Sequence, residues 1–256
     1  MRKVTLKAGP LRVAVIGVGG TGSEVLTGLT HLHQALLAQG KAGLMVFAFD
    51  HDTVSEANLV RQRYARADLG RNKAEVLIGR INFACGVWWT AVPERFSWEA
   101  GRESWDLVIS CVDTRAARAH LHRYAFASGF RRWTWWLDCG NDRASGQVIL
   151  GEPRHPNKAG RNRLPCATEL HPDLMDTSLP EDQGPSCSAL EAVLRQGLFT
   201  NRQVATYALQ LLYEAFFLGR LTHHGYYFNQ DAGQTVARKV PNRLQNRRVQ
   251  HAAAAD

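Results

Sequence analysis

Cysteine is scarce in this chain. Five residues (Cys85, Cys111, Cys139, Cys166 and Cys187) are spread over 256 positions, and their number is odd. A disulfide framework of the kind that holds small secreted scaffolds is thereby excluded. Long apolar runs are also lacking: none approaches the roughly 20 residues needed to cross a bilayer. The N-terminal stretch MRKVTLKAGPLRVAVIG carries basic residues, but its apolar run leads straight into glycines with no small-residue cleavage site after it. No internal repeat is found. The expectation is a soluble protein of the reducing cytoplasm, with no membrane association.

What is present is enough for one large domain with its own core: 45% hydrophobic and 21% charged residues. The formal charge of +8 points to an anionic partner, without choosing among a nucleotide triphosphate, an acidic protein and nucleic acid. Nothing specific indicates nucleic acid. Much of the excess is local, in RKVPNRLQNRR at 238–248, which reads as a solvated terminus.

Strand and helix patterns alternate over the first 151 residues. The apolar run Leu11 to Ile16 ends in GVGGTG, and Val25, Leu26, Leu29 and Leu32 then recur at helical spacing. LMVFAFD (44–50) reads as a strand, GRNKAEVLIGRINFA (70–84) as a helix, and WDLVISCVD (105–113) as a strand. A helical TRAARAHLHRYAFASG closed by Gly129 follows, then strands WTWWLDCG (133–140) and GQVILG (146–151). This alternation predicts an α/β, Rossmann-like, doubly wound and mainly parallel sheet with helices on both faces. Residues 152–186 are rich in Pro, Asn, Asp and Gly and read as an irregular crossover-type segment. Helices are expected over 188–198 and 200–221, the second with a stripe of Val204, Ala208, Leu211, Leu212, Ala215 and Phe216 packed within the monomer. A hairpin over 223–240 turns near Asp231 to Gly233. The domain reading is therefore 1–151 as nucleotide-binding core, 187–240 completing the same domain, and 241–256 as a flexible basic tail.

Gly17, Gly19, Gly20 and Gly22 lie between a strand and a helix, where backbone N–H groups approach a phosphate at a helix N-terminus. That pattern alone fits NAD, FAD or ATP. Asp50 ends the next strand, where a carboxylate can accept ribose hydroxyls. The distinguishing segment is DHDTVSEANLVRQ at 50–62, since no simple dinucleotide site calls for Asn58, Arg61 and Gln62 in this arrangement.

This segment resembles the ThiF/MoeB-like family of ubiquitin-activating-type enzymes, whose acid-x-acid run followed by Asn-Leu-x-Arg-Gln stands here as Asp50, Asp52, Asn58, Leu59, Arg61 and Gln62. GRNK at 70–73 matches the family's Gly-x-x-Lys, and VISCVDTRAARAHL matches its strand ending in Asp. The resemblance covers about residues 11–151 and implies ATP-dependent adenylation of a carboxyl group. It assigns the phosphates to Gly17–Gly22, the ribose to Asp50, the triphosphate to Asn58, Arg61 and Lys73, and Mg²⁺ to Asp113, with Asp52 and Gln62 in the same nucleotide site. A homodimer is implied as well. Each residue also has an ordinary competitor: a turn cap for Asp52, solvated charges for Arg61 and Lys73, a helix cap for Asp113.

Many relatives pass the activated carboxyl group to a cysteine as a thioester. Cys187, in GPSCS at the start of an expected helix, is the first candidate for that role, because a positive helix end favours thiolate; a structural buried thiol is the alternative. Cys166 is the second candidate. Cys85, Cys111 and Cys139 fall in apolar contexts and read as core, as do the tryptophan-rich stretches at 88–89 and 133–136. The two C-x-x-C pairs that hold structural zinc in many bacterial relatives are missing, so no zinc is expected. GQVILG together with GPSCSALEAVLRQGLFTNRQVA resembles the ThiF-like proteins of bacterial PRTRC cassettes, which suggests a small ubiquitin-like protein as substrate. An NAD-dependent oxidoreductase and a catalytically silent nucleotide-binding scaffold remain the competing readings.

Overall fold

The computed structural model describes residues 1–127, 133–153, 163–179 and 197–241. After a two-residue strand β1 (Arg2–Lys3) come β2 (Leu11–Ile16), α1 (Gly20–Ala38), β3 (Leu44–Phe49), α2 (Lys73–Cys85) and β4 (Thr90–Val92). They are followed by α3 (Trp98–Arg102), β5 (Trp105–Ser110), α4 (Arg115–Phe126), β6 (Trp133–Asn141) and β7 (Ser145–Gly151). The last described part contains α5 (Ala167–Leu170), α6 (Thr200–Leu212), β8 (Arg220–Leu221), β9 (His223–Asn229) and β10 (Gln234–Lys239).

Eight strands form one sheet in the order β10-β9-β7-β6-β5-β2-β3-β4. The neighbours from β6 to β4 are parallel; β7, β9 and β10 add antiparallel strands at the other end. The mainly parallel α/β expectation is met. The chain moves outward from β2 through β3 to β4 and then returns to the other side of β2 as β5. The carboxyl ends of β2 and β5 therefore flank the crevice where doubly wound sheets bind ligands.

Burial explains the near-continuous apolar strands. Val13 and Val15 of β2 face a core shared with α1, α2 and α6, while Ala14 and Ile16 face a second core. That second core holds Trp105, Trp133 and Trp136, with Trp133 edge-on to Trp136 at 5.8 Å between ring centroids. Trp89 and Trp135 are likewise buried, as the core reading anticipates, but Trp88 is 93% exposed. The stripe Val204, Ala208, Leu211, Leu212, Ala215 and Phe216 is wholly buried against the sheet and α1. The last stretch differs from the helix expected through residue 221. After α6 the backbone widens into a π turn (Tyr213–Phe217), Gly219 takes a positive φ of 66°, and Arg220–Leu221 pairs antiparallel with Arg2–Lys3. The hairpin of β9 and β10 turns where expected, with Gly233 at φ 61°. Gly129, most of the helix expected over 188–198, and the tail beyond 241 lie outside the described residues; Leu198 itself lies in a turn.

His224 on β9 is fully buried, with Nδ1 donating to the Leu150 carbonyl at 3.1 Å and Nε2 without a hydrogen-bond partner among the described residues. Burial pushes its pKa from 6.5 down to about 4. The unfolded chain thus binds a proton near pH 6.5 that the folded chain refuses until about pH 4. This contribution to stability is complete above pH 6.5 and is lost as pH falls toward 4, at up to about 1.4 kcal/mol per pH unit. Thermal melts at pH 7.5 and 5.0 are expected to show a smaller acid-induced drop for His224→Leu than for the wild type. An equal drop in both would place the acid sensitivity elsewhere.

Candidate active site

The turn after β2 is shaped by crowding. Gly17 has φ 86°, and a Cβ there would lie 2.7 Å from the Cys111 carbonyl oxygen; a Cβ on Gly22 would lie 1.9 Å from the Gly17 carbonyl oxygen. These two glycines are required by the approach of chain to chain, whatever binds. Beside Gly19 the space is open, with only the Gln62 amide nitrogen 3.9 Å from a Cβ position. Gly19 caps α1 without a side-chain hydrogen bond, and the first turn holds no acid. The positive helix end is left uncompensated by its own sequence, which suits an anion.

Asp50, at the end of β3, is 8% exposed, and its carboxylate accepts the Val18 N–H at 2.6 Å and the Asp52 N–H at 2.9 Å. Burial pushes its pKa up, while these two N–H groups and the Lys73 charge hold it down. Asp50 therefore ties the glycine turn to the loop after β3. Asp52 is half exposed and meets the buried Lys73 ammonium at 3.0 Å. Asn72 caps α2 by accepting the Glu75 N–H, and its amide donates to the carbonyls of Asp50 and Asp52 at 2.8 and 3.2 Å. Lys73, the first residue of α2, is aimed by that cap. Ligand atoms of Asp50, His51 and Asp52 lie within 4.8 Å of one another, but Lys73 and the two backbone donors already balance the carboxylates.

Asn58 closes its own short turn, its side-chain oxygen accepting the Ser55 N–H at 2.9 Å. The same oxygen accepts the Ser55 hydroxyl at 3.1 Å. Arg61 is half-buried: desolvation pushes its pKa down, and the negative charge of Asp113 pushes it back up. The charge of Asp113, in the loop after β5, therefore acts on Arg61. The Gln62 side-chain oxygen is buried with no hydrogen-bond partner among the described residues. The structure accordingly brings Gly19, Asp50, Asp52, Arg61, Gln62, Lys73 and Asp113 to one end of the sheet.

Two anchors of this site escape sequence reasoning. The buried Tyr64 hydroxyl donates to the Val18 carbonyl at 2.6 Å and lies 3.3 Å from the Lys73 carbonyl, binding the loop to α2; burial drives its pKa up. Arg63 grips Glu24 of α1 through two hydrogen bonds of 2.9 and 2.7 Å. The only signal of Tyr64 is an aromatic ring set among charged residues in RQRYARADLGR.

Asp113 also stands at the edge of a cleft of about 730 Å³ lined by Arg118, Gly140, Asn141, Gln147 and Tyr227. Arg118 is buried there with its Nε 3.4 Å from Asp138. Of the cysteines, Cys85 and Cys111 are partly buried and Cys139 is buried, in line with a core reading. Cys166 corrects the second-choice nucleophile: it is 1% exposed, and burial pushes its thiol well up, so it stays protonated. Cys187 lies outside the described residues.

The model of the ThiF family matches residues 3–240. Comparison with curated proteins returns no match. Among solved structures the chain is similar to E. coli MccB with ATP, at a TM-score of 0.59 and 15% identity over 91% of this chain and 64% of that one. It is similar to PaaA at 0.58 and 14%, over 90% of this chain and 64% of that one. E. coli MccB with AMPCPP and selenomethionine MccA gives 0.57 and 16%, over 91% and 64%. The chain spans 64% of the length of these structures, and at such identities the likeness is one of fold.

Proposed function

The chain belongs to the ThiF family, and from that premise we propose that it adenylates a substrate carboxylate with ATP. The observation that carries this reading is the convergence, at the switch point of the sheet, of the uncompensated α1 N-terminus with its open space at Gly19 and the Lys73–Asp52 pair set by the Asn72 cap. In this reading the triphosphate lies along Gly19, Asn58, Arg61 and Lys73, with Gln62 beside it. The ribose hydroxyls are taken by Asp50, whose two carboxylate oxygens each accept one backbone N–H and keep a further lone pair, with Asp52 beside it.

The substrate carboxylate, ionised at neutral pH, needs no base. Its oxygen bonds to the α-phosphorus, and the bond from that phosphorus to the bridging oxygen of pyrophosphate breaks. Negative charge grows on the departing pyrophosphate, where Arg61 and Lys73 oppose it through fixed electrostatics. Asp113 is an exposed carboxylate, a hard oxygen donor of the kind Mg²⁺ takes together with phosphate oxygens. Bound there, Mg²⁺ would supply further neutralisation of the phosphates.

The cleft beyond Asp113 would receive the carboxyl end of the substrate, which we propose is the C-terminus of a small ubiquitin-like protein. E. coli MccB has been crystallised with MccA. A homodimer and transfer of the acyl group to Cys187 complete the proposal. ATP–pyrophosphate exchange tests it, since adenylation is reversible: purified protein is assayed with and without small ubiquitin-like proteins encoded in the same gene cluster. Substrate-dependent exchange is expected. Tight ATP binding without exchange for any candidate would favour a scaffold, and preference for NAD(H) over ATP would favour an oxidoreductase.

A further inference from the structure

Asn201 is the second residue of α6 and only 3% exposed, beside the equally buried polar Thr200 on a helix whose other buried residues are apolar. Its side-chain oxygen accepts two hydrogen bonds, one from the Thr21 hydroxyl in the first turn of α1 and one from the Asn141 amide in the wall of the cleft, each 3.0 Å long. The same amide group fills the space in front of Gly20. A Cβ on residue 20 would lie 2.2 Å from the Asn201 amide nitrogen, 2.5 Å from its carbonyl carbon and 2.8 Å from its oxygen. One buried side chain therefore touches the nucleotide end of α1 and the wall of the cleft together.

We propose that Asn201 is a positioning residue that locks the glycine turn to the cleft wall, and that residue 20 is glycine on account of this amide rather than of a nucleotide. The role rests on the adenylation reading for its purpose, since it joins the nucleotide's end of the site to the substrate's. It stands on geometry for its existence. The oxygen of Asn201 sets the rotation of the first α1 turn through Thr21, and with it the direction of the N–H groups at Gly19 and Gly20. Through Asn141 it sets the last residue of β6, next to Gly140 in the cleft wall.

The test is a double-mutant cycle on the full chain, read by MgATP affinity in calorimetric titration and by thermal melting. Gly20→Ala is expected to weaken MgATP binding about tenfold and to lower the melting midpoint, because the new methyl group meets the amide. Asn201→Ala should weaken MgATP binding severalfold by freeing Thr21 and Asn141. In the double variant the loss is expected to be smaller than for Gly20→Ala alone, in both readouts, because the methyl group then has room. Losses that multiply would overturn the proposal. Asn201→Asp adds a readout that a merely structural role would not move. It keeps the accepting oxygen but buries a carboxylate, so the melting midpoint is expected to fall, while MgATP binding weakens about tenfold through a negative charge beside the phosphates, the loss growing as pH rises and the carboxylate ionises. Unchanged affinity in that variant would overturn the proposal too. Failure of the wild type to bind MgATP, with the melting cycle behaving as expected, would instead overturn the adenylation reading and leave the lock between Asn201 and Gly20 standing.

Discussion

Arg61→Ala and Asp113→Ala are each expected to lower substrate-dependent ATP–pyrophosphate exchange by about 10²–10³-fold, the range seen when one preorganised transition-state contact is removed. In the proposed reaction both residues act on charge that grows on the pyrophosphate as the bond to the α-phosphorus breaks. The loss should therefore fall mainly on the maximal rate rather than on the ATP concentration giving half-maximal rate. Arg61 is desolvated and opposed by Asp113, so removing it also relieves a buried cation, and the melting midpoint should stay near that of the wild type. Asp113 is exposed, and its removal should be tolerated as well. Because the charge of Asp113 acts on Arg61, the double variant should lose less than the product of the single losses. Unchanged exchange in both single variants, with a substrate that the wild type activates, would sink the site assignment.

The parts of this site that the sequence announces are those where chemistry or periodicity repeats a local rule. Strand–turn–helix at 11–38 follows from an apolar run, a glycine cluster and a helical stripe, and the structure repeats it with β2 and α1. The helix expected over 70–84 is found from Lys73, where the structure adds the Asn72 cap that the periodicity alone does not name. The end of α6 was hidden, since Tyr213 to Phe217 continue an apolar helical pattern and the change to a π turn is made by tertiary packing. There Lys41 and Gln39, distant in sequence, bond the carbonyls of Phe216 and Phe217 at 2.8 and 3.3 Å. The role of Asp50 in tying down the glycine turn was hidden for a related reason. Both acids stand at the end of β3 in sequence, and nothing near them there announces that the Val18 N–H, 32 residues away, donates to Asp50. Tyr64 and Asn201 belong to the same class: each acts on groups its own neighbours in sequence do not reveal.

Cys187→Ala is expected to leave adenylation intact and to remove a thioester completely, which makes it the sharpest division available within the proposed reaction. In the proposed reaction the adenylate forms at the crevice between β2 and β5, where none of the assigned groups is a thiol. Exchange of pyrophosphate into ATP should therefore proceed in the variant at a rate within about twofold of the wild type, as for a substitution outside the groups that act on the transferred phosphoryl. The second step is different in kind. The thiolate sulfur attacks the acyl carbon of the adenylate, the bond from that carbon to the AMP oxygen breaks, and AMP leaves, so no other side chain can replace the sulfur in a product that contains it. Cys166 does not compete for that role, because its buried thiol is held protonated. The experiment is a non-reducing gel and intact-mass measurement after mixing protein, MgATP and the substrate that supports exchange. The expected result is a covalent adduct cleaved by excess dithiothreitol in the wild type and absent from Cys187→Ala. An adduct that persists in the variant would move the acceptor to another cysteine. Absence of any adduct in the wild type, with exchange intact, would mean that the adenylate is handed directly to a separate nucleophile, and Cys187 would then be a structural thiol.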